Sequence, residues 1–143
     1  MINQLPTTIR PAGPGDMAFV YSAWIQSMGA CTPWRALDRN WFTAAAHALI
    51  AKILARKTVV AYLAVQPEDP DQIYGFAVVE RLPRGSDVVH WAFVKRPFRG
   101  HGAFEAILRG ADVGQWTFSS RTPMGEQINS SQVNSHSLCD TAR

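Results

Sequence analysis

The N-terminal part of the chain places hydrophobic residues at helical spacing. Apolar side chains follow Asp16 at intervals of three and four residues, at Met17, Val20, Tyr21, Trp24, Ile25 and Met28. This spacing predicts an amphipathic helix that ends near Gly29. A second helix is predicted from Trp41 to about Ala55, where Ala, Leu and Ile dominate. Its buried side is expected to carry Phe42, Ala45, Leu49, Ile53 and Leu54.

After residue 57 the hydrophobic pattern changes to that of strands. Two segments rich in Pro, Gly and Asp separate three runs of β-branched and aromatic residues, at 58–65, 73–80 and 88–94. Strands joined by short turns pair antiparallel. We therefore expect a three-stranded antiparallel meander, preceded by a short strand at residues 7–10.

The last part of the chain predicts one further strand and then a polar tail. A loop with two glycines leads into a short apolar helix at 103–111 and a short strand at 116–119. Residues 120–143 are rich in Ser, Asn, Gln and Thr, and we expect them to be irregular. The predicted order is β-α-α-β-β-β-α-β, which indicates one α/β domain at 1–119 followed by a tail at 120–143.

Composition narrows the class of protein. The chain has 143 residues, of which 47% are hydrophobic, enough for the core of one domain. Its net charge of +3 is small for a nucleic-acid-binding protein, so the charge does not favour nucleic acid as a partner. No apolar run reaches the roughly 18 residues that span a bilayer, and residues 1–10 do not resemble a secretory signal. Cys31 and Cys139 are interpreted as reduced thiols, and the cytoplasm is the expected location.

The loop after the meander has the chemistry of a phosphate site. Arg99, Gly100, Gly102 and Ala103 lie where this loop opens the next helix. Glycines let backbone N–H groups converge on one ligand, and the positive end of the helix dipole favours a pyrophosphate there. The spacing is neither that of a P-loop nor that of a Rossmann dinucleotide site. A solvated basic loop without a ligand is the alternative.

The same segment resembles motif A of the GNAT family, the Gcn5-related N-acetyltransferases. Their pattern [QR]-x-x-G-x-[GA] is matched by Arg99 at the first position and Gly102 at the fourth, whereas Phe104 stands where the family has Gly or Ala. The resemblance covers about residues 7–119. Residues 44–47 and 72–75 look particularly like GNAT-like proteins of tailed bacteriophages.

The resemblance implies a fold, a donor and a set of site residues. The sheet would be mixed and mostly antiparallel, and the donor would be acetyl-CoA, with no metal. Arg99, Gly100, Gly102 and Ala103 would hold the pyrophosphate, and the main chain of Phe93 and Val94 would pair with the pantetheine arm. His90 is the candidate base, because a free imidazole titrates near neutral pH, and Glu80 is a second candidate. The acetyl group would pass to an amine of a small molecule or a protein by direct attack on the thioester.

A non-catalytic role is the alternative. Family members often use a Tyr in a C-terminal helix as the general acid, but the last Tyr here is Tyr74 and residues 120–143 predict no helix or strand pair. The chain would then be a structural or interaction protein, for example in a phage particle. The strand at 116–119 would leave an open sheet edge, which predicts a homo-oligomer or a larger assembly.

Overall fold

The computed structural model of the protein describes residues 5–31, 34–83 and 86–119. Five strands form one sheet in sequence order: β1 (Thr8–Pro11), β2 (Val59–Gln66), β3 (Asp69–Glu80), β4 (Ser86–Val94) and β5 (Gln115–Phe118). The first four strands pair antiparallel, and β5 runs parallel to β4. The α/β class, the mixed sheet and the antiparallel meander are thus confirmed.

Helices cover both faces of this sheet. Helices α1 (Met17–Gly29) and α2 (Arg39–Leu54) pack on one face, where their apolar residues meet Leu63, Phe76 and Trp91. Helix α3 (Ala103–Gly110) packs on the other. Alternate side chains of each strand therefore pack into the core on one face of the sheet or on the other. Because both faces are buried, the strands appear in the sequence as nearly continuous apolar runs. None of the helices in the described part of the chain is long and apolar enough to cross a membrane.

The buried face of α2 differs from the expected one. The residues that pack inward are Phe42, Ala46, Ile50 and Ile53, at helical spacing. Ala45 and Leu49 are exposed, so their predicted burial is wrong. The helix begins at Arg39, before the predicted start, because the Asp38 carboxylate accepts a hydrogen bond of 2.9 Å from the Trp41 N–H and caps the first turn.

Strand β3 begins earlier than its sequence suggests. Asp69 pairs with Gln66, but the next pair joins Ile73 to Val65, so residues 70–72 form a bulge in the ladder. Pro70, which lacks an N–H, lies in this bulge, where no ladder bond is required of it. The turn expected across 67–71 is therefore limited to the two residues between Gln66 and Asp69.

The described part of the chain also corrects one prediction about cysteine. Cys31 is buried and takes part in a disulfide, so the prediction that this thiol is reduced is wrong. Cys139 and the predicted tail at 120–143 lie outside the described residues.

Candidate functional site

A bulge in the middle of β4 forms the centre of the candidate site. Trp91 lies opposite Val78 and Val89 lies opposite Val79, so His90 is an extra residue between them. Such a bulge interrupts the alternation of a strand and lets successive side chains point to the same face. Both side chains here are turned towards the α1–α2 face. The Trp91 indole donates to Ser27 Oγ on α1 at 2.8 Å, and His90 reaches Glu80 at the end of β3.

Strands β4 and β5 separate at this bulge. They pair through four residues each, from Ser86 with Gln115 to Val89 with Phe118. The last hydrogen bond joins the Ser119 N–H to the Val89 carbonyl at 3.1 Å. Within the described residues, β4 continues through Val94 with no strand paired on that side. An opening therefore begins where His90 stands.

The register of β4 decides which main-chain groups face this opening. Lys95 N–H donates to the Tyr74 carbonyl at 2.8 Å, and Phe93 pairs with Phe76. Because the direction of backbone groups alternates along a strand, Phe93 bonds towards β3, while Ala92 and Val94 face the opening. The main chain of Phe93 is therefore paired with β3, and the Val94 carbonyl accepts from the Arg99 Nε. Ala92 is a further residue whose main chain faces the opening, and no sequence signal distinguished it from Phe93 without the register.

His90 is held between two oxygen atoms. Its Nε2 lies 2.7 Å from Glu80 Oε1, and its Nδ1 lies 2.8 Å from Ser119 Oγ. Glu80 also accepts hydrogen bonds from Thr58 Oγ1 at 2.8 Å and from Arg56 at 2.9 Å. The hydrogen bond from His90, supported by Thr58 and Arg56, lowers the pKa of Glu80 to about 2, so this carboxylate is ionised at neutral pH.

The ionised carboxylate determines the tautomer of the imidazole. Carboxylate oxygens only accept hydrogen bonds, so Nε2 of His90 carries a proton. When the ring is neutral, Nδ1 is then the acceptor and the Ser119 hydroxyl the donor of this pair. His90 is 7% exposed, whereas Ser119 is exposed to solvent. Ser119 was not among the predicted site residues, because only the sheet pairing brings the end of β5 beside the bulge.

The glycine loop at the other end of this stretch has the expected backbone conformation. Gly100 and Gly102 have φ values of +82° and +80°, a region that favours glycine. Gly102 is the N-cap of α3, so the first N–H groups of that helix have no partner within the helix. Among the described residues, a Cβ at Gly100 would meet nothing within 4 Å.

Two residues of the predicted motif have clear packing roles. The Arg99 Nε donates to the Val94 carbonyl at 2.8 Å, and its guanidinium lies 5.8 Å from the centre of the Phe93 ring. Phe104 is buried, and its ring packs edge-on against Trp116 at 5.5 Å. The bulky residue at the sixth motif position thus fills the core between α3 and the sheet rather than the space beside the loop.

A cavity of about 330 Å³ lies between α1 and the end of β4. Ser27, which binds the Trp91 indole, lines it together with Phe19. Lys95 and Arg99 also line it, and the Lys95 ammonium lies 5.2 Å from the centre of the Phe19 ring. The cavity therefore lies between α1 and the segment from Phe93 to Arg99, on the face of the sheet that α1 covers.

Solved acetyltransferase structures have the same fold at low sequence identity. A Pyrococcus furiosus protein assigned as an acetyl transferase aligns with a TM-score of 0.66 and 12% identity, over 82% of this chain and 84% of that one. A GNAT-family acetyltransferase from Staphylococcus aureus gives 0.53 and 13%, over 80% and 73%. The ribosomal-protein-alanine N-acetyltransferase of Brucella melitensis gives 0.52 and 16%, over 85% and 86%. No family model and no curated protein matches the sequence. The chain shares the GNAT fold.

Proposed function

We propose that the protein is an acyl-CoA-dependent N-acetyltransferase that transfers an acetyl group from acetyl-CoA to an amine. The observation that carries this proposal is the opening between β4 and β5, which has a buried histidine at one end and a glycine loop at the other. From His90 to Val94 an extended strand covers about 13 Å, a path along which a flexible arm can lie.

The residues present fit the donor at the glycine loop. The N-terminus of α3 supplies N–H donors, and Arg99 supplies a positive charge. Arg99, Gly100, Gly102 and Ala103 would hold the pyrophosphate, while the main chain of Ala92 and Val94 would pair with the pantetheine arm in the manner of an added strand. When bound, the donor supplies a thioester acyl group.

His90 and Glu80 have different roles in this proposal. His90 takes a proton from the attacking amine at Nδ1, the ring nitrogen that faces Ser119 and the opening. Glu80 is a positioning residue, because its carboxylate holds Nε2 protonated and fixes the ring. The cavity between α1 and β4 would receive the acceptor. Lys95, the lining cation that is not assigned to the pyrophosphate, favours an amine whose molecule also carries an acidic group.

Acetyl transfer to a panel of primary amines, with and without a carboxylate, tests this function. We expect release of CoA that depends on the amine, and a loss of about 100-fold or more in the His90→Gln variant, because removing a positioned base costs this much. The control is His47→Gln, since His47 lies on α2 against Tyr21, away from β4. Equal rates in wild type and His90→Gln would contradict the role of His90.

A non-catalytic interaction role is the second candidate, and an apolar surface favours it. Trp41 is 61% exposed and Leu49 is 48% exposed, on the same side of α2. In the described residues β5 is the last strand of the sheet and pairs only with β4. We propose self-association or assembly through these surfaces, for which a phage particle is the setting indicated by the sequence resemblance.

Light scattering tests this second role. A species heavier than the 15.8 kDa monomer, which the Trp41→Ser substitution converts to monomer, supports it. A protein that stays monomeric at high concentration contradicts it.

A further inference from the structure

Three side chains at the bulge form a continuous hydrogen-bonded chain. Ser119 Oγ lies 2.8 Å from His90 Nδ1, and His90 Nε2 lies 2.7 Å from Glu80 Oε1. The three residues come from the end of β5, the middle of β4 and the end of β3. An exposed hydroxyl, a buried imidazole and a carboxylate in this order have the mutual arrangement of a nucleophile, its base and the acid that orients the base.

When the His90 ring is neutral, the three side chains have the hydrogen-bond roles that this arrangement requires. Glu80 is kept ionised by Thr58, Arg56 and His90 itself. The carboxylate therefore accepts from Nε2–H, and Nδ1 keeps a lone pair directed at the Ser119 hydroxyl. Because the His90 ring is buried while Ser119 is exposed, the base is shielded from water and the nucleophile is accessible. Both ring nitrogen atoms thus already have the hydrogen-bond partners that base catalysis on a hydroxyl requires.

We propose that Ser119 is an acyl-accepting nucleophile, activated by His90 and Glu80, and that the protein therefore also hydrolyses activated acyl esters and thioesters. The inference rests on the proposed function only in taking acetyl-CoA as the natural acyl donor. In the absence of an amine, the Ser119 oxygen occupies the position next to the base. The resulting activity is that of an esterase or thioesterase with an acyl-serine intermediate.

The reaction balances without any further reagent. Ser119 Oγ attacks the acyl carbonyl carbon while His90 Nδ1 takes the hydroxyl proton. The bond from carbon to sulfur, or to the ester oxygen, then breaks, and the leaving group departs with the proton from Nδ1. Water attacks the acyl-serine in the second half, giving its proton to Nδ1, and the released Ser119 oxygen takes that proton back. The products are a carboxylic acid and the free thiol or alcohol.

A main-chain donor is available for the negative charge that develops on the carbonyl oxygen. The Val89 carbonyl is bound by the Ser119 N–H, and the next β4 residue whose backbone faces the opening is Ala92. Its N–H lies on the same edge as the acyl group that Ser119 would receive. A fixed backbone donor of this kind stabilises a tetrahedral intermediate.

The test uses p-nitrophenyl acetate, an activated ester that does not require a CoA site, and acetyl-CoA in parallel. We expect a burst of p-nitrophenolate from wild type and a mass increase of one acetyl group that peptide mapping assigns to Ser119. Ser119→Ala should lose the burst and the adduct. Ser119→Cys should keep a covalent acyl group, since a thiol replaces the hydroxyl, and Thr117→Ala is the control for an exposed hydroxyl on the same strand.

Each outcome decides between the two proposals. If the ester acylates Ser119 but calorimetry detects no binding of acetyl-CoA, the proposal that Ser119 is a nucleophile is supported and the acetyltransferase function is contradicted. Binding of acetyl-CoA and acetylation of amines, without any acylation of Ser119 by either reagent, overturns the nucleophile and leaves the transferase. A burst of equal size in Ser119→Ala also overturns it, because the acyl group would then go elsewhere.

Discussion

The imidazole of His90 and the carboxylate of Glu80 are joined by a hydrogen bond of 2.7 Å across two neighbouring strands. The bulge at His90 makes this possible, because it turns the side chain to the face on which Glu80 lies. Without the extra residue, the alternation of β4 would direct consecutive side chains to opposite cores. The contact between the candidate base and its partner is thus a consequence of one irregularity in the ladder.

The lowered pKa of Glu80 predicts a particular dependence of stability on pH. The pKa is about 2 in the folded protein, against 4.5 for an unperturbed glutamate. The ionised form is favoured by folding, so its contribution is complete above about pH 4.5 and is lost as the pH falls towards 2. That contribution amounts to about 3 kcal/mol as an upper limit.

Urea unfolding of wild type and Glu80→Gln between pH 2 and pH 7 measures this effect. The difference in free energy of unfolding should be largest near neutral pH and should shrink at acid pH. Glu68→Gln, in the exposed turn between β2 and β3, is the matched control and should show little difference. A difference between wild type and Glu80→Gln that stays constant over the whole range would contradict the assigned pKa.

A second prediction concerns the bond between Trp91 and Ser27. Ser27→Ala removes the acceptor of the buried Trp91 N–H, and an unpaired buried donor costs about 1–3 kcal/mol. We expect a corresponding loss in the free energy of unfolding, measured by urea denaturation. Ser22→Ala, at an exposed position of the same helix, should have a much smaller effect. Equal effects of the two substitutions would show that the indole does not depend on Ser27.

A third prediction replaces an expectation drawn from the family motif. If the bulky side chain of Phe104 impaired the phosphate site, Phe104→Gly would improve binding of the donor. The burial of Phe104 against Trp116 predicts the opposite, a loss of stability of about 3–5 kcal/mol from the cavity left behind. Thermal unfolding of Phe104→Ala measures it, and Leu108→Ala, at a half-buried position of the same helix, should lose less. A Phe104→Ala variant as stable as wild type would contradict this packing.

Much of the fold could be predicted because local patterns dominate it. The helix after Asp16 and the three strands of the meander were visible in spacing and turn chemistry, and the glycine loop before α3 was visible in Gly100 and Gly102. The exposed face of α2 was not predictable, because Leu49 is apolar and only the position of α1 decides which side is covered.

The candidate site was harder to predict, because it depends on register. His90 and Glu80 were candidates from their place on adjacent strands, but the bulge that brings them together has no signature in the residues of β4. The choice of Ala92 over Phe93 follows from which backbone groups pair with β3, and Ser119 enters the site through the pairing of β5. Such relationships between distant segments do not appear in a local pattern.

Titration of acetyl-CoA into the protein by calorimetry tests the central claim most directly. The account predicts saturable binding at one site, weakened by about 10-fold or more in Arg99→Ala, since a charge-assisted contact to phosphate contributes about 1.5–3 kcal/mol. Arg109→Ala, at the exposed C-terminal end of α3, is the matched control and should bind as wild type does. No binding, or equal affinity in wild type and Arg99→Ala, would contradict a donor site at the glycine loop.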